Sequence, residues 1–149
     1  MAGTFTNLNF HIVFSTKDRS HELTKDIREN VYGYIGGIIR GIGGSLIKIG
    51  GVEDHVHILC SLKADVSVAE AVRKIKSNAS KWIKREFLTK DSFAWQGGYA
   101  AFTVSKSQQA IVENYIENQE EHHRQKSFKE ELIGFLKVND LPYEEQYLT

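Results

Sequence analysis

The chain has 149 residues, with 19 Lys and Arg against 19 Asp and Glu; 41% are hydrophobic and 26% charged. That size fits one domain, expected over 1–149, with enough core to fold without staples. Zero formal charge argues against a protein that coats nucleic acid through a bulk basic excess, and no apolar run approaches the roughly 20 residues of a membrane span.

The opening segment MAGTFTNLNFHIVFSTK has no basic stretch followed by an apolar block, so it reads as a first strand and not as a signal peptide. Residues 5–15 put Leu8, Phe10, Ile12 and Phe14 on one face at period two, the spacing of a strand. His11 falls on the opposite face. Thr24 is a candidate cap for a helix whose apolar positions are Ile27, Val31, Ile35, Ile38, Ile39 and Ile42. Gly33, Gly36 and Gly37 interrupt it, each costing about 1 kcal/mol relative to Ala; close packing on a sheet, or a kink, would account for them. Gly41, Gly43 and Gly44 end it.

Residues 46–49 read as a short strand broken by Gly50 and Gly51. Residues 55–62 form the next, with Val56, Ile58 and Cys60 on one face and His55, His57 and Leu59 on the other. Ser67 caps a second helix with the apolar stripe Val68, Val72, Ile75, Ala79, Trp82 and Ile83. A fourth strand is expected over 99–104, a third helix from Ser107 to about 125, and a fourth helix over 128–138 before a tail ending in Tyr147. This order predicts an α+β fold: a ferredoxin-like, RRM-like βαββαβ antiparallel sheet with two helices on one face and extra C-terminal helices. The second face is left for a partner, a substrate or those helices, and the fold alone does not assign a function.

Two segments carry chemistry. In EDHVHIL, His55 and His57 are two apart, so on a strand they project to one side and can grip one metal ion. Two polar side chains on a solvent-facing strand are the alternative. In YIENQEEHH, Tyr115 and Gln119 are four apart and share a helix face. Tyr115 is a candidate nucleophile and Gln119 a candidate third ligand; a tyrosine half-buried at a helix–sheet contact is the alternative. A phenol with a pKa near about 10 is a poor nucleophile. A divalent ion held by His55, His57 and Gln119 would polarise a phosphate oxygen and supply what the phenol lacks.

Arg73, Lys74, Lys76, Lys81, Lys84 and Arg85 spread around the second helix, opposed by Glu70 and Glu86. They are candidates for contacts to DNA phosphates, or a solvated face. Asp54 suits orientation of a histidine or a turn. His122 and His123 follow Gln119 by three and four residues, so one could face the site or a phosphate; a surface role is the expectation. His11 lies either near the metal strand or satisfied within the sheet. Trp95 is expected in the core, with base stacking by Trp95 and Tyr99 as the alternative. Cys60 is the only cysteine and belongs to the apolar face, which fits a reducing cytoplasm.

HVH resembles the HUH motif, histidine–hydrophobic–histidine, of the HUH endonucleases. With a single downstream YIENQ, the chain resembles the single-tyrosine transposases of the IS200/IS605 type. FHIVFSTKDR, DHVHIL and AVRKIKSNASKWI extend the likeness over nearly the whole chain. FAWQGGYAAFTVSKSQ and VENYIENQEEHHRQKSFKEEL are similar to the subgroup allied to transposases of repetitive extragenic palindromes.

The resemblance implies that Tyr115 attacks DNA, leaving a 5′-phosphotyrosine and a free 3′-hydroxyl. It implies His55, His57 and Gln119 as ligands of Mg2+ or Mn2+, and a homodimer acting on hairpin-bearing single-stranded DNA in the cytoplasm of a bacterial or archaeal cell, at the nucleoid. No ATP is needed, because the phosphotyrosine conserves the cut bond. In some members the tyrosine helix of one subunit completes the metal site of the other. The neutral charge departs from the more basic self-mobile members. Two further functions suit the same residues: a domesticated hairpin-binding protein or nuclease acting on host palindromic repeats, and a metal-dependent hydrolase that uses water.

Overall fold

The structure, a computed structural model, describes residues 3–148. Its elements run β1 (Asn9–Ser15), α1 (Lys25–Gly41), β2 (Ser45–Val52), β3 (His55–Ser61), α2 (Val68–Glu86), β4 (Ala100–Thr103), α3 (Gln109–Glu117), α4 (Gln119–His122) and α5 (Phe128–Val138). The four strands form one antiparallel sheet in the order β2-β3-β1-β4. This is the βαββαβ arrangement that the sequence pattern predicts.

Alternation decides which face each strand residue takes. Ile12, Phe14, Val56, Ile58 and Cys60 pack against Ile27, Val31, Ile35 and Ile39 of α1 and Val72, Ile75 and Ala79 of α2. Burying each large side chain there contributes roughly 1.5–3 kcal/mol. The opposite face carries His11, Val13, His55, His57, Leu59 and Phe102, and the C-terminal helices cover it. Ile116 of α3 packs with Leu59 and Val104, and the Phe135 ring of α5 stacks on Phe102 at 5.4 Å. The added helices take this face.

Several boundaries differ from expectation. The alternating pattern begins at residue 5, yet β1 begins at Asn9, because Phe5 is 95% exposed with no sheet to pack on. β2 does not break at its glycines: Gly50 and Gly51 pair with His57 and Val56. α1 runs unbroken through Gly33, Gly36 and Gly37. Of these, only Gly36 sits where a Cβ would crowd the sheet, 3.2 Å from the Leu46 side chain. Gly43 closes the helix in the left-handed region at φ 84°, as a C-terminal glycine should.

Thr24 occupies the cap position of α1, but its hydroxyl bonds the Asp26 carboxylate instead of a backbone amide. Ser67 does cap α2, its Oγ accepting from the Glu70 N–H at 3.1 Å. Trp95 lies edge-on to Phe14 and Phe93, each at 4.8 Å, and its indole N–H donates to the Lys76 carbonyl. The single helix expected over 107–125 is divided. Asn118 leaves helical geometry at φ −97°, ψ 26°, and its side-chain amide donates to the Asn114 carbonyl at 2.8 Å, a carbonyl that also accepts from the Asn118 backbone N–H. α5 spans the predicted residues and starts with a capping box formed by Ser127 and Glu130. Among the described residues, no helix is long and apolar enough to cross a membrane.

Candidate active site

The site begins on the histidine face. β1 runs antiparallel to β3 with Ser15 opposite His55, Val13 opposite His57 and His11 opposite Leu59. His55 and His57 are both fully buried. The Nδ1 of His55 donates to Asp54 Oδ1 at 2.7 Å. The Nδ1 of His57 shares a hydrogen bond of 2.8 Å with Nε2 of His11, whose ring stacks on it at 5.1 Å. With both Nδ1 atoms engaged, the two rings present Nε2 in the same direction, the usual way a neighbour sets a ligating imidazole.

The C-terminal helices bring more donors to that point. Gln119 Oε1 lies 3.2 Å from His55 Nε2 and 3.0 Å from His123 Nε2. From α5, Glu131 Oε1 lies 3.0 Å from His57 Nε2, 3.3 Å from His123 Nε2 and 3.5 Å from His55 Nε2. His55, His57, His123 and Glu131 form a group that could hold one ion. Donors about 2.1 Å from a common cation stand roughly 3.0–3.4 Å apart at octahedral to tetrahedral angles. The Glu131 contacts match that spacing, while the four ligand atoms together lie within 4.8 Å of one another, so the set would have to draw in to hold an ion.

Electrostatics favour positive charge here. Burial opposes ionisation of Glu131, yet hydrogen bonds from His123, His55 and His57 hold its carboxyl far below the usual range. Burial pulls His55 down, but Asp54 and Glu131 outweigh it and push the ring up to about 9. Burial lowers His57 to about 4 and His11 to about 3, the latter with help from His57. Those two rings are neutral, so the Nε2–H of His57 that bonds Glu131 leaves its Nδ1 accepting from His11 Nε2. An ion held at Nε2 would reverse that pair, with His11 as the acceptor.

Tyr115 reaches the same carboxylate. Its hydroxyl donates to Glu131 Oε2, and its ring lies 5.7 Å from that of His57. Burial first, and then the charge of Glu131, raise the phenol pKa above its ordinary value. A cleft of about 380 Å³, lined by Ile111, Asn114, Tyr115, Asn118, Glu121 and His122, opens onto the phenol from solvent. The close seat of α3 depends on Gly50: a Cβ there would stand 2.6 Å from the Ile116 carbonyl oxygen.

The family model for IS200-like transposases matches residues 4–119, from before β1 through Gln119. The chain belongs to the IS200-like transposase family. It is similar to the ISDra2 transposase TnpA of Deinococcus radiodurans, at 23% identity over 78% of this chain and 87% of that one. A solved transposase structure from Deinococcus radiodurans R1 shares the fold, with a TM-score of 0.67 and 22% identity over 80% of this chain and 95% of that one. So does a REP-associated tyrosine transposase bound to a REP hairpin, with a TM-score of 0.61 and 13% identity over 83% of this chain and 74% of that one.

In this IS200-like transposase, His55, His57, Gln119 and Tyr115 come together in one chain. The basic residues lie elsewhere, since α2 packs on the apolar face of the sheet. Arg73 and Lys74 pair with Glu70, and Arg85 with Glu86. Lys81 and Lys84 are exposed. Lys76 is engaged internally, donating to the carbonyls of Gln96 at 2.7 Å and Gly98 at 2.9 Å. The surface placement expected of His123 does not hold: its ring packs 4.4 Å from that of His55, and the ring is drawn in by the bond to Gln119. Glu131 was not singled out in the sequence, and the family match ends before it. A signal was present: Glu131 is the one acid in the apolar stripe Phe128, Leu132, Phe135 of α5, where an unpaired charge would be costly.

Proposed function

We propose that this transposase cuts and rejoins single-stranded DNA at hairpin-flanked sites, with Tyr115 as the nucleophile. A divalent ion, Mg2+ or Mn2+, would be held by His55, His57 and Gln119, with His123 and Glu131 as further donors. The observation that carries this reading is the convergence on Glu131, where one carboxylate oxygen meets three imidazole nitrogens and the other meets the Tyr115 hydroxyl. When bound, the ion would polarise a phosphoryl oxygen and offset the charge of the transition state.

The chain's own groups do the rest. Tyr115 Oη attacks phosphorus and the bond to the 3′-oxygen breaks, giving a 5′-phosphotyrosine and a 3′-hydroxyl. Attack by a 3′-hydroxyl on that phosphotyrosine restores a phosphodiester and frees the phenol. The Tyr115 O–H donates to Glu131 Oε2, a bond that would orient the phenol for attack, with its proton passing in the overall step to the leaving 3′-oxygen. Asp54 and His11 hold the two imidazoles in register. The solved relative bound to a REP hairpin supports a hairpin substrate. Arg73, Lys74, Lys81, Lys84 and Arg85 would contact its phosphates, and Lys76 would hold the 96–98 loop. The proposed acting form is a homodimer in the cytoplasm.

The test is a covalent-adduct assay with a hairpin-bearing single-stranded oligonucleotide and Mn2+ or Mg2+. Wild-type protein should form a protein–DNA adduct, and Tyr115→Phe should lose it while folding normally. An adduct that persists in Tyr115→Phe would overturn the nucleophile, cleavage without an adduct would point to water as the attacking group, and tight binding without cleavage would point to a hairpin-binding protein.

A further inference from the structure

We infer that Arg28 is a positioning residue for this site, a buried strut that holds the Gln119 segment against the turn that delivers His55. The inference rests on the metal reading above. Arg28 lies on α1, outside every segment that carries the proposed chemistry, and its side chain is only 7% exposed. Its Nη2 donates to Glu120 Oε1 at 2.9 Å, and its Nη1 donates to the Leu23 carbonyl at 3.2 Å and lies 3.7 Å from Glu53 Oε1. Glu120 follows Gln119 directly, while Glu53 precedes Asp54 and His55. The Glu53 carbonyl also accepts from the Leu23 N–H at 2.9 Å. One guanidinium therefore touches both halves of the donor set, through the residues beside them.

α4 needs such a hold. It has four residues and no side-chain cap, too short to be stable by itself. It follows the departure from helical geometry at Asn118, and the backbone bonds of Asn118 to Asn114 and of His122 to Asn118 tie it to α3 only in part. Its outer side faces a groove of about 770 Å³ between α1 and β2, lined by Lys25, Arg28, Tyr32, Gly50, Glu120 and Arg124 among others. The apolar packing that fixes α3 is missing there. Besides Arg28, Lys25 reaches Glu120 at 3.9 Å, with both side chains more than half exposed, and such a pair contributes little. Arginine suits the task because its planar fork meets several acceptors in fixed directions, and a buried guanidinium is costly unless they are all in place.

The test is a Mn2+ titration followed by electron paramagnetic resonance, on the full chain with the metal alone, for wild type, Glu120→Gln, Arg28→Lys and Arg28→Met. Amide hydrogen exchange of residues 119–123 is measured on the same metal-free proteins. Glu120→Gln should raise the Mn2+ Kd by about tenfold, the lower end of the range for groups that support a ligand, and should speed exchange in α4. Arg28→Met should do at least as much, and Arg28→Lys less. Glu120 is half-exposed, so its variant decides the matter if Arg28→Met fails to fold. Unchanged Mn2+ affinity in Glu120→Gln overturns the inference, whatever happens to its melting temperature. If wild-type protein binds no Mn2+, the metal reading fails separately, and the exchange data decide whether Arg28 anchors α4.

Discussion

The two faces of this sheet are made from alternate residues of the same strands, and they are held together in opposite ways. On the side of α1 and α2, Ile12, Phe14, Val56, Ile58 and Cys60 are buried among apolar side chains, where shape and area decide everything. On the other side, His11, His55, His57, Gln119 and Glu131 are just as buried, but each is held by directed bonds to the others. An apolar face loses stability in proportion to what is cut away. A polar cluster is different, because removing one member leaves its partners unsatisfied. The first face carries the fold, and the second spends part of that stability on a site.

Adjacent residues of β3 give the sharpest way to break this comparison. Ile58→Ala should cost about 2–5 kcal/mol in urea denaturation and leave Mn2+ affinity per folded molecule unchanged. His57→Ala should abolish measurable Mn2+ binding and adduct formation, and should also cost stability, because His11 and Glu131 each lose a buried partner. Mn2+ affinity per folded molecule is what separates the two variants. If both variants lost the same stability and the same affinity, the division between faces would be wrong.

Gly50→Ala should come next. The added methyl meets the Ile116 carbonyl and pushes α3, with Tyr115, away from the histidines. Adduct formation should slow by about 100-fold, the cost of roughly 1 Å of misplacement at a reacting group, with folded protein still recovered. Glu131→Gln keeps the shape of α5 but removes its charge, and isothermal titration should show Mn2+ binding weaker by about tenfold. Unchanged binding would remove Glu131 from the donor set.

The smallest effect expected is the pH dependence of metal-free stability. His57 and His11 are lowered to about 4 and about 3 in the fold, below the ordinary value near about 6.5. Over that interval the unfolded chain binds more protons, so stability falls as pH drops from about 6.5 toward 4. His55 is raised to about 9, so its contribution is complete below about 6.5 and is lost as pH rises through 9. Urea midpoints should therefore peak near neutrality and fall on both sides. The Ile58→Ala deficit should be the same at every pH, since no charge is involved.

Much of the site was legible because it is local. His55 and His57 share a face by strand alternation, and Tyr115 and Gln119 are a helical turn apart. These are periodicities of the backbone, and so is the length of α5. The 107–125 helix misled: the chain leaves helical geometry at Asn118 although the backbone bond to Asn114 is kept, a break that no spacing in the sequence signals. Glu131 and Arg28 were out of reach for another reason: each sits on an element remote in sequence from the residues it meets, and no spacing records which helix lies over which strand.

By itself, the amino-acid order determined the strands and helices, the two-faced pattern of β1 and β3, and the pairing of imidazoles, amide and phenol as chemical types. Periodicity requires only neighbours along the chain. Packing decided that the C-terminal helices cover the histidine face, that Glu131 joins the donors and Tyr115, and that Arg28 spans the site from behind. Those are contacts between distant segments, settled only when the apolar surfaces of α3 and α5 find the sheet.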